Sequence, residues 1–166
     1  MRAIELYRTE PGTTKADFLR AHPAPFVIYA KNTTRENKPN DMAALTIDRF
    51  VVDGNRPATL AETMMAAALQ PTDPSENVVT IGAGPGCDLV VNDNSLSKQH
   101  AWFARATDGW QIWDNDSVGG TQVNNELLKP GFPRTLASGD IVTLGYVDVT
   151  FLLPEAFYTL VKHIVG

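Results

Sequence analysis

Short apolar runs recur along the second half of the chain, each bounded by turn residues. The runs cover 78–81, 89–91, 101–106, 110–114, 121–123, 141–144 and 147–152. Between them stand Gly82, Gly84 and Gly86, then Asn92-Asp-Asn, Asp108-Gly, Asp114-Asn-Asp, Gly119-Gly, Asn124-Asn and Ser138-Gly-Asp. Short strands at a spacing of roughly ten residues predict an all-β sandwich. The alternation in Val147-Asp-Val-Thr-Phe151 fits strands with one buried face. After Pro154 the period changes: Phe157, Leu160, Val161 and Ile164 fall at i, i+3, i+4 and i+7, the pattern of an amphipathic helix.

The first 74 residues mix signals. Thr14-Lys-Ala-Asp17 is a capping-box pattern opening a short helix with Phe18 and Leu19, which His22-Pro-Ala-Pro25 ends. Residues 26–30 and 45–52 read as strands and the polar stretch 31–41 as a loop. Thr59-Leu-Ala-Glu62 repeats the capping-box pattern and predicts a helix over 59–70, with Leu60, Met64 and Ala67 or Ala68 on one face, covering an open edge of the sandwich. Pro71-Thr-Asp-Pro74 marks the predicted boundary. The expected organisation is an N-terminal extension of helix, strands and helix over 1–74, packed on the sandwich, a β-sandwich over 75–153, and a C-terminal helix over 154–166.

Charge narrows the function classes. The 166 residues carry a formal net charge of −5. Residues 1–75 hold nine Lys/Arg and nine Asp/Glu, so the whole excess lies beyond them, where five bases face ten acids. No basic patch is left for nucleic acid or anionic lipid. The start of the chain has no apolar leader and no run is long enough to span a membrane, so the expectation is a cytoplasmic protein. A single cysteine, Cys87, excludes an internal disulfide and reads as a small buried residue. His22, His100 and His163 lie too far apart for a metal-ligand spacing. No metal or cofactor is expected.

The glycines of Ile81-Gly-Ala-Gly-Pro-Gly-Cys-Asp88 invite a phosphate-loop reading, but they fail both nucleotide templates. Cys87 stands where the dinucleotide fingerprint needs its third glycine, and a strand follows instead of a helix. The triphosphate loop would need Lys and Ser/Thr after the last glycine. Ser97 and His100, with Asp114 or Asp116, supply the residue types of a nucleophile, base and orienting acid. No nucleophile-elbow glycines surround the serine, and the hydrolase is kept only as an alternative. Trp102 and Trp110, on adjacent strands, are expected to pack the sandwich.

Taken in order, VTIGAGPGCDLVVND, SLSKQHAWF, WQIWDNDSVGGTQVNNELL and LASGDIVTLG resemble the forkhead-associated (FHA) domain, a β-sandwich that recognises phosphopeptides. The resemblance covers about 75 residues and implies an FHA-type antiparallel sandwich, here with an N-terminal α/β extension and the C-terminal helix. It implies that Ser97 hydrogen-bonds a phosphothreonine phosphate, that Lys98 lies beside it, and that His100 braces the adjoining loops. Asn124 matches the asparagine of the Val-Asn-Gly turn, and Ser117, Gly120 and Thr121 match the loop beside the ligand. Gly82 and Gly84 belong to the loop where the family meets phosphate. In that loop the family's arginine is replaced by Ala83, while Val118 and Gly119 replace the threonine and the peptide-binding asparagine. A dianionic phosphate is held best by a guanidinium. The chain is therefore expected to be a non-catalytic interaction module of bacterial signalling that binds a protein partner with weak or no phosphothreonine dependence. Its ligand is expected on loops 82–87, 93–99 and 116–125. The alternative is phosphothreonine-peptide binding through Ser97 and Lys98. The sequence leaves the oligomeric state open.

Overall fold

A computed structural model describes residues 1–9, 12–30 and 64–164. The elements are β1 (Arg2–Ala3), a 3-10 turn (Ile4–Tyr7), α1 (Lys15–Ala21), β2 (Phe26–Ala30), β3 (Met64–Ala68), β4 (Val78–Gly82), β5 (Leu89–Val90), β6 (Ala101–Ala106), β7 (Gly109–Asp114), β8 (Thr121–Val123), β9 (Glu126–Leu127), β10 (Arg134–Leu136), β11 (Ile141–Leu144), β12 (Val147–Leu152) and α2 (Pro154–Ile164). They form a seven-stranded sheet in the order β1-β3-β2-β12-β11-β8-β9 and a five-stranded sheet in the order β10-β7-β6-β4-β5. Neighbours are antiparallel except β4 and β5, which are parallel.

The sandwich core gathers inward residues of both sheets. Val79, Ile81, Phe103 and Ile112 meet Val27, Val142, Val149 and Phe151. The seven-stranded sheet is also buried on its other face. There Phe26, Ile28, Met64, Ala66 and Leu152 pack against Phe18 of α1 and Phe157, Leu160 and Val161 of α2. Phe157 stacks on Phe26, centroids 3.8 Å apart at 17°, and Phe18 meets Tyr158 at 5.2 Å. The capping box that opens α1 is present, with Thr14 Oγ1 accepting from the Asp17 N–H at 3.2 Å.

Burial on two sides corrects the expected helix over 59–70. Residues 64–68 form β3, which lies between β1 and β2 with Ala67 opposite Val27 and Ala66 opposite Ile28. Met64 and Ala66 face the helices, whereas Ala67 faces the sandwich core. A strand buried on both faces reads as a continuous apolar run, and its pairing overrides the helix propensity of Met and Ala. The segment therefore extends the sheet and does not cap it as a helix. The expected loop at 31–41, strand at 45–52 and capping box at 59–62 lie outside the described residues.

Trp102 needs a second correction. It stands opposite Trp113 on the outer face of the five-stranded sheet, rings 6.2 Å apart at 17°. The inward positions of β6 belong to Ala101 and Phe103, both buried, because side chains alternate along a strand. Trp110 does pack against the core.

Candidate functional site

Four backbone segments meet at one end of the sandwich: 82–87, 93–99, 116–120 and the turn at Gly145 and Tyr146. The glycines after β4 serve close approach. The Ala83 N–H donates to the Ser97 carbonyl at 3.0 Å and the Gly84 N–H to the Lys98 carbonyl at 2.9 Å. A Cβ at Gly82 would sit 2.3 Å from the Lys98 carbonyl oxygen, and one at Gly84 2.8 Å from the same atom. These glycines are spent on seating the backbone of Ser97 and Lys98. That leaves Lys98 exposed and projecting from a fixed main chain. Cys87 is buried beneath, its thiol donating to the Lys98 carbonyl at 3.0 Å, and desolvation pushes that thiol's pKa up. Behind the loop, desolvation alone would raise the Asp88 carboxyl. Hydrogen bonds from Thr80 and Thr72 outweigh it and hold the group down at about 2.

His100 is fully buried and joins three segments. Its Nδ1 accepts the Ser97 N–H at 3.0 Å and its Nε2 donates to the Gly120 carbonyl at 2.9 Å. Its own N–H donates to the Ile81 carbonyl. Both ring nitrogens are thus engaged by backbone, while Ser97 Oγ accepts the Val118 N–H at 3.0 Å. Buried Asp114 accepts from Ser117 Oγ and Thr121 Oγ1, each at 2.6 Å, and from the Ser117 N–H at 3.0 Å. The serine, histidine and aspartate therefore do not form a nucleophile–base–acid relay, which corrects the hydrolase alternative. They hold loops in place.

Ser97, Lys98, Ala83, Val118, Gly119 and Gly120 come together at this end. Ser117 and Thr121 stand just behind, with their hydroxyls turned inward to Asp114. Ala83 is half-buried against the core. A Cβ at Gly119 would lie 2.9 Å from Gly145 Cα and 3.0 Å from the Ser95 carbonyl oxygen. Asn124 is not brought to this cluster. It follows the opposite end of β8, where its Nδ2 donates to Asp140 at 2.9 Å and its Oδ1 accepts the Ile141 N–H at 3.0 Å.

Two participants escape the sequence reading. Ser95 Oγ accepts the Tyr146 N–H at 2.9 Å and donates to Asp93 at 2.7 Å. The Asp93-x-Ser95 spacing is an Asx-turn signal that could have found it. Tyr146 is the second residue of the two-residue hairpin loop Gly145-Tyr146 between β11 and β12, and it is exposed.

A family model described as "FHA domain" matches residues 79–145. The oxoglutarate dehydrogenase inhibitor of Corynebacterium diphtheriae is 34% identical over 73 residues, 44% of this chain and 49% of that protein. The glycogen accumulation regulator GarA of Mycolicibacterium smegmatis is 30% identical over 140 residues, 83% of this chain and 77% of that protein. The chain spans about half the length of the oxoglutarate dehydrogenase inhibitors it matches. Among solved structures, the FHA domain of an Arabidopsis thaliana hypothetical protein superimposes with a TM-score of 0.51 at 17% identity, covering 78% of this chain and 86% of that one. That likeness is one of fold. Among the described residues, no helix is long and apolar enough to cross a membrane.

Proposed function

Because this chain belongs to the FHA domain family, we propose that it is a non-catalytic protein-interaction module whose partner docks on Ser97, Lys98, Val118 and Gly119 with weak or no dependence on phosphothreonine. The observation that carries this reading is Ala83. It stands in the loop laced to Ser97, half-buried, where the family arginine would meet a phosphate. Losing a hydrogen bond to a charged group costs about 1.5–3 kcal/mol, roughly ten- to a hundred-fold in affinity. Lys98 supplies one point charge in place of a bidentate fork. In the same reading residues 75–153 carry the recognition loops, with 1–74 supplying β1, β2 and β3 to the seven-stranded sheet and 154–166 covering that sheet's outer face. The pairing of β2 with β12 favours that role for the N-terminal part. In this reading the module works in the cytoplasm.

A second reading keeps phosphothreonine as the ligand of Ser97 and Lys98. What favours it is that Ser97 Oγ uses an acceptor site on Val118 and keeps its hydrogen to donate. Titration calorimetry with phosphothreonine peptide pools and their unphosphorylated counterparts separates the two. Comparable binding of both pools supports the proposal. Binding that vanishes on dephosphorylation and in Ser97→Ala overturns it in favour of the second reading.

A further inference from the structure

The two sheets differ in what covers their outer faces. Both helices lie on the seven-stranded sheet, where Phe18 of α1 and Phe157, Leu160 and Val161 of α2 fill that side. Among the described residues neither helix lies on the five-stranded sheet, and its outward positions form two cross-strand rows. Thr80, Trp102 and Trp113 stand opposite one another across β4, β6 and β7. Val78, Ala104, Gln111 and Thr135 do so across β4, β6, β7 and β10.

None of these seven side chains carries a charge, in a chain where 20% of residues do, and all are half-buried or exposed. The rings of Trp102 and Trp113 lie 6.2 Å apart at 17°, so the first row presents a paired aromatic surface. Exposed Val90 of the edge strand β5 extends the apolar area.

We propose that this face is a self-association surface, on which a second copy of the chain packs by its own Trp102–Trp113 row about a two-fold axis. Charge argues for that occupant. A face with no charged group of its own disfavours any partner that would bury a charge against Trp and Ala, because an unpaired charge loses its hydration. The same face on a second copy meets that requirement, and a two-fold rotation sets identical patches against each other. The −5 excess of each copy lies off the face, so it acts as a long-range repulsion that salt screens. Area sets the strength. Strands about 4.8 Å apart, with up to six residues of about 3.4 Å each, give the five-stranded sheet a face of roughly 20 by 20 Å. Two such faces amount to roughly 800 Å², short of a permanent interface and in the range of weak, reversible pairing.

The test is sedimentation equilibrium of the full chain from about 10 µM to about 1 mM, at about 50 and about 500 mM NaCl. A reversible monomer–dimer equilibrium is expected, with a Kd on the order of 100 µM that tightens several-fold at the higher salt. Gln111→Lys puts an unpaired charge in the buried face of each copy and should weaken pairing by about ten-fold or more. Its side chain points outward and leaves both tryptophans in place, so this variant keeps its fold. Trp113→Arg should weaken pairing likewise, and Leu153→Ser, an exposed apolar residue away from this face, should change nothing. A monomer at every concentration overturns the proposal and leaves the face to another part of the chain or to another protein. A dimer that survives both Gln111→Lys and Trp113→Arg overturns it by assigning pairing to a different surface. A dimer that high salt dissolves overturns it in favour of ion pairs.

Discussion

The hydroxyl of Ser97 accepts the backbone N–H of Val118 at 3.0 Å, tying the loop before β6 to the loop before β8 across 21 residues of chain. The serine thus has a structural partner of its own. Removing it changes the shape of the recognition end as well as its chemistry.

Ser97→Ala leaves the Val118 N–H without its acceptor. A lost hydrogen bond of this kind costs about 0.5–1.5 kcal/mol, a fall of about 2–4 °C in Tm per kcal/mol for a domain of this size. Scanning calorimetry should register that small drop, and hydrogen exchange should rise in 116–120 while the β6 amides stay protected. An unchanged Tm together with unchanged exchange would contradict the bracing role.

Ala83→Arg should raise phosphothreonine-peptide affinity by roughly ten-fold, since it returns a guanidinium to the loop seated on Ser97. Gly119→Asn, which restores the family asparagine, should give no such gain. Its Cβ would press on Gly145 Cα at 2.9 Å and the Ser95 carbonyl at 3.0 Å, and both neighbours are backbone. We expect Gly119→Asn to lose about 1–3 kcal/mol of stability, as overpacking does. Paired titrations and urea melts of the two single variants check this, and a fully stable Gly119→Asn protein would refute the close packing.

Two groups give the stability opposite-looking but same-signed pH dependences. Burial lowers the pKa of His22 from its ordinary 6.5, where the ring sits 4.7 Å from Phe18 and 5.7 Å from Tyr7. The folded state therefore prefers the neutral ring, so stability begins to fall as pH drops below about 6.5 and levels off below the folded pKa. Asp88, held near 2 against an ordinary 3.8, stabilises the fold fully above about pH 4 and loses that contribution as pH falls toward 2. Urea midpoints across pH 2–8 should show both slopes, His22→Gln flattening the upper one and Asp88→Asn the lower.

Phe157→Ala should cost about 3–5 kcal/mol. The ring is fully buried, stacks on Phe26, and joins α2 to α1 and to the outer face of the seven-stranded sheet. Denaturant melts measure the loss. If the helices merely decorate the sheet, the variant will instead match wild type.

Much of the sandwich was legible because its strands are short apolar runs set between turn residues. Strands β6, β8, β11 and β12 fall where the runs 101–106, 121–123, 141–144 and 147–152 predict them. Each run is closed by turn residues with their own local chemistry. β9 and β10 carried no such signal, being short, with Glu126, Leu127 and Thr135 exposed. At the candidate site, Ser97, Lys98 and Ala83 could be singled out from the resemblance of the ordered motifs to the FHA family. Ser95 and Tyr146 could not be placed beside them, because their hydrogen bond joins residues 51 positions apart.

By itself, the sequence determined where most strands of the recognition sandwich lie along the chain, the capped start of α1 and the apolar face of α2. These depend on alternation, helical period and capping, which neighbours within a few residues dictate. Only the tertiary structure decided that 64–68 is a strand, that Trp102 faces outward, and that Asn124 stands apart from the recognition end. It also decided that Gly119 is kept small by Gly145 and Ser95. Burial on two faces and contact between distant backbones depend on which segments become neighbours, and no local pattern carries that information.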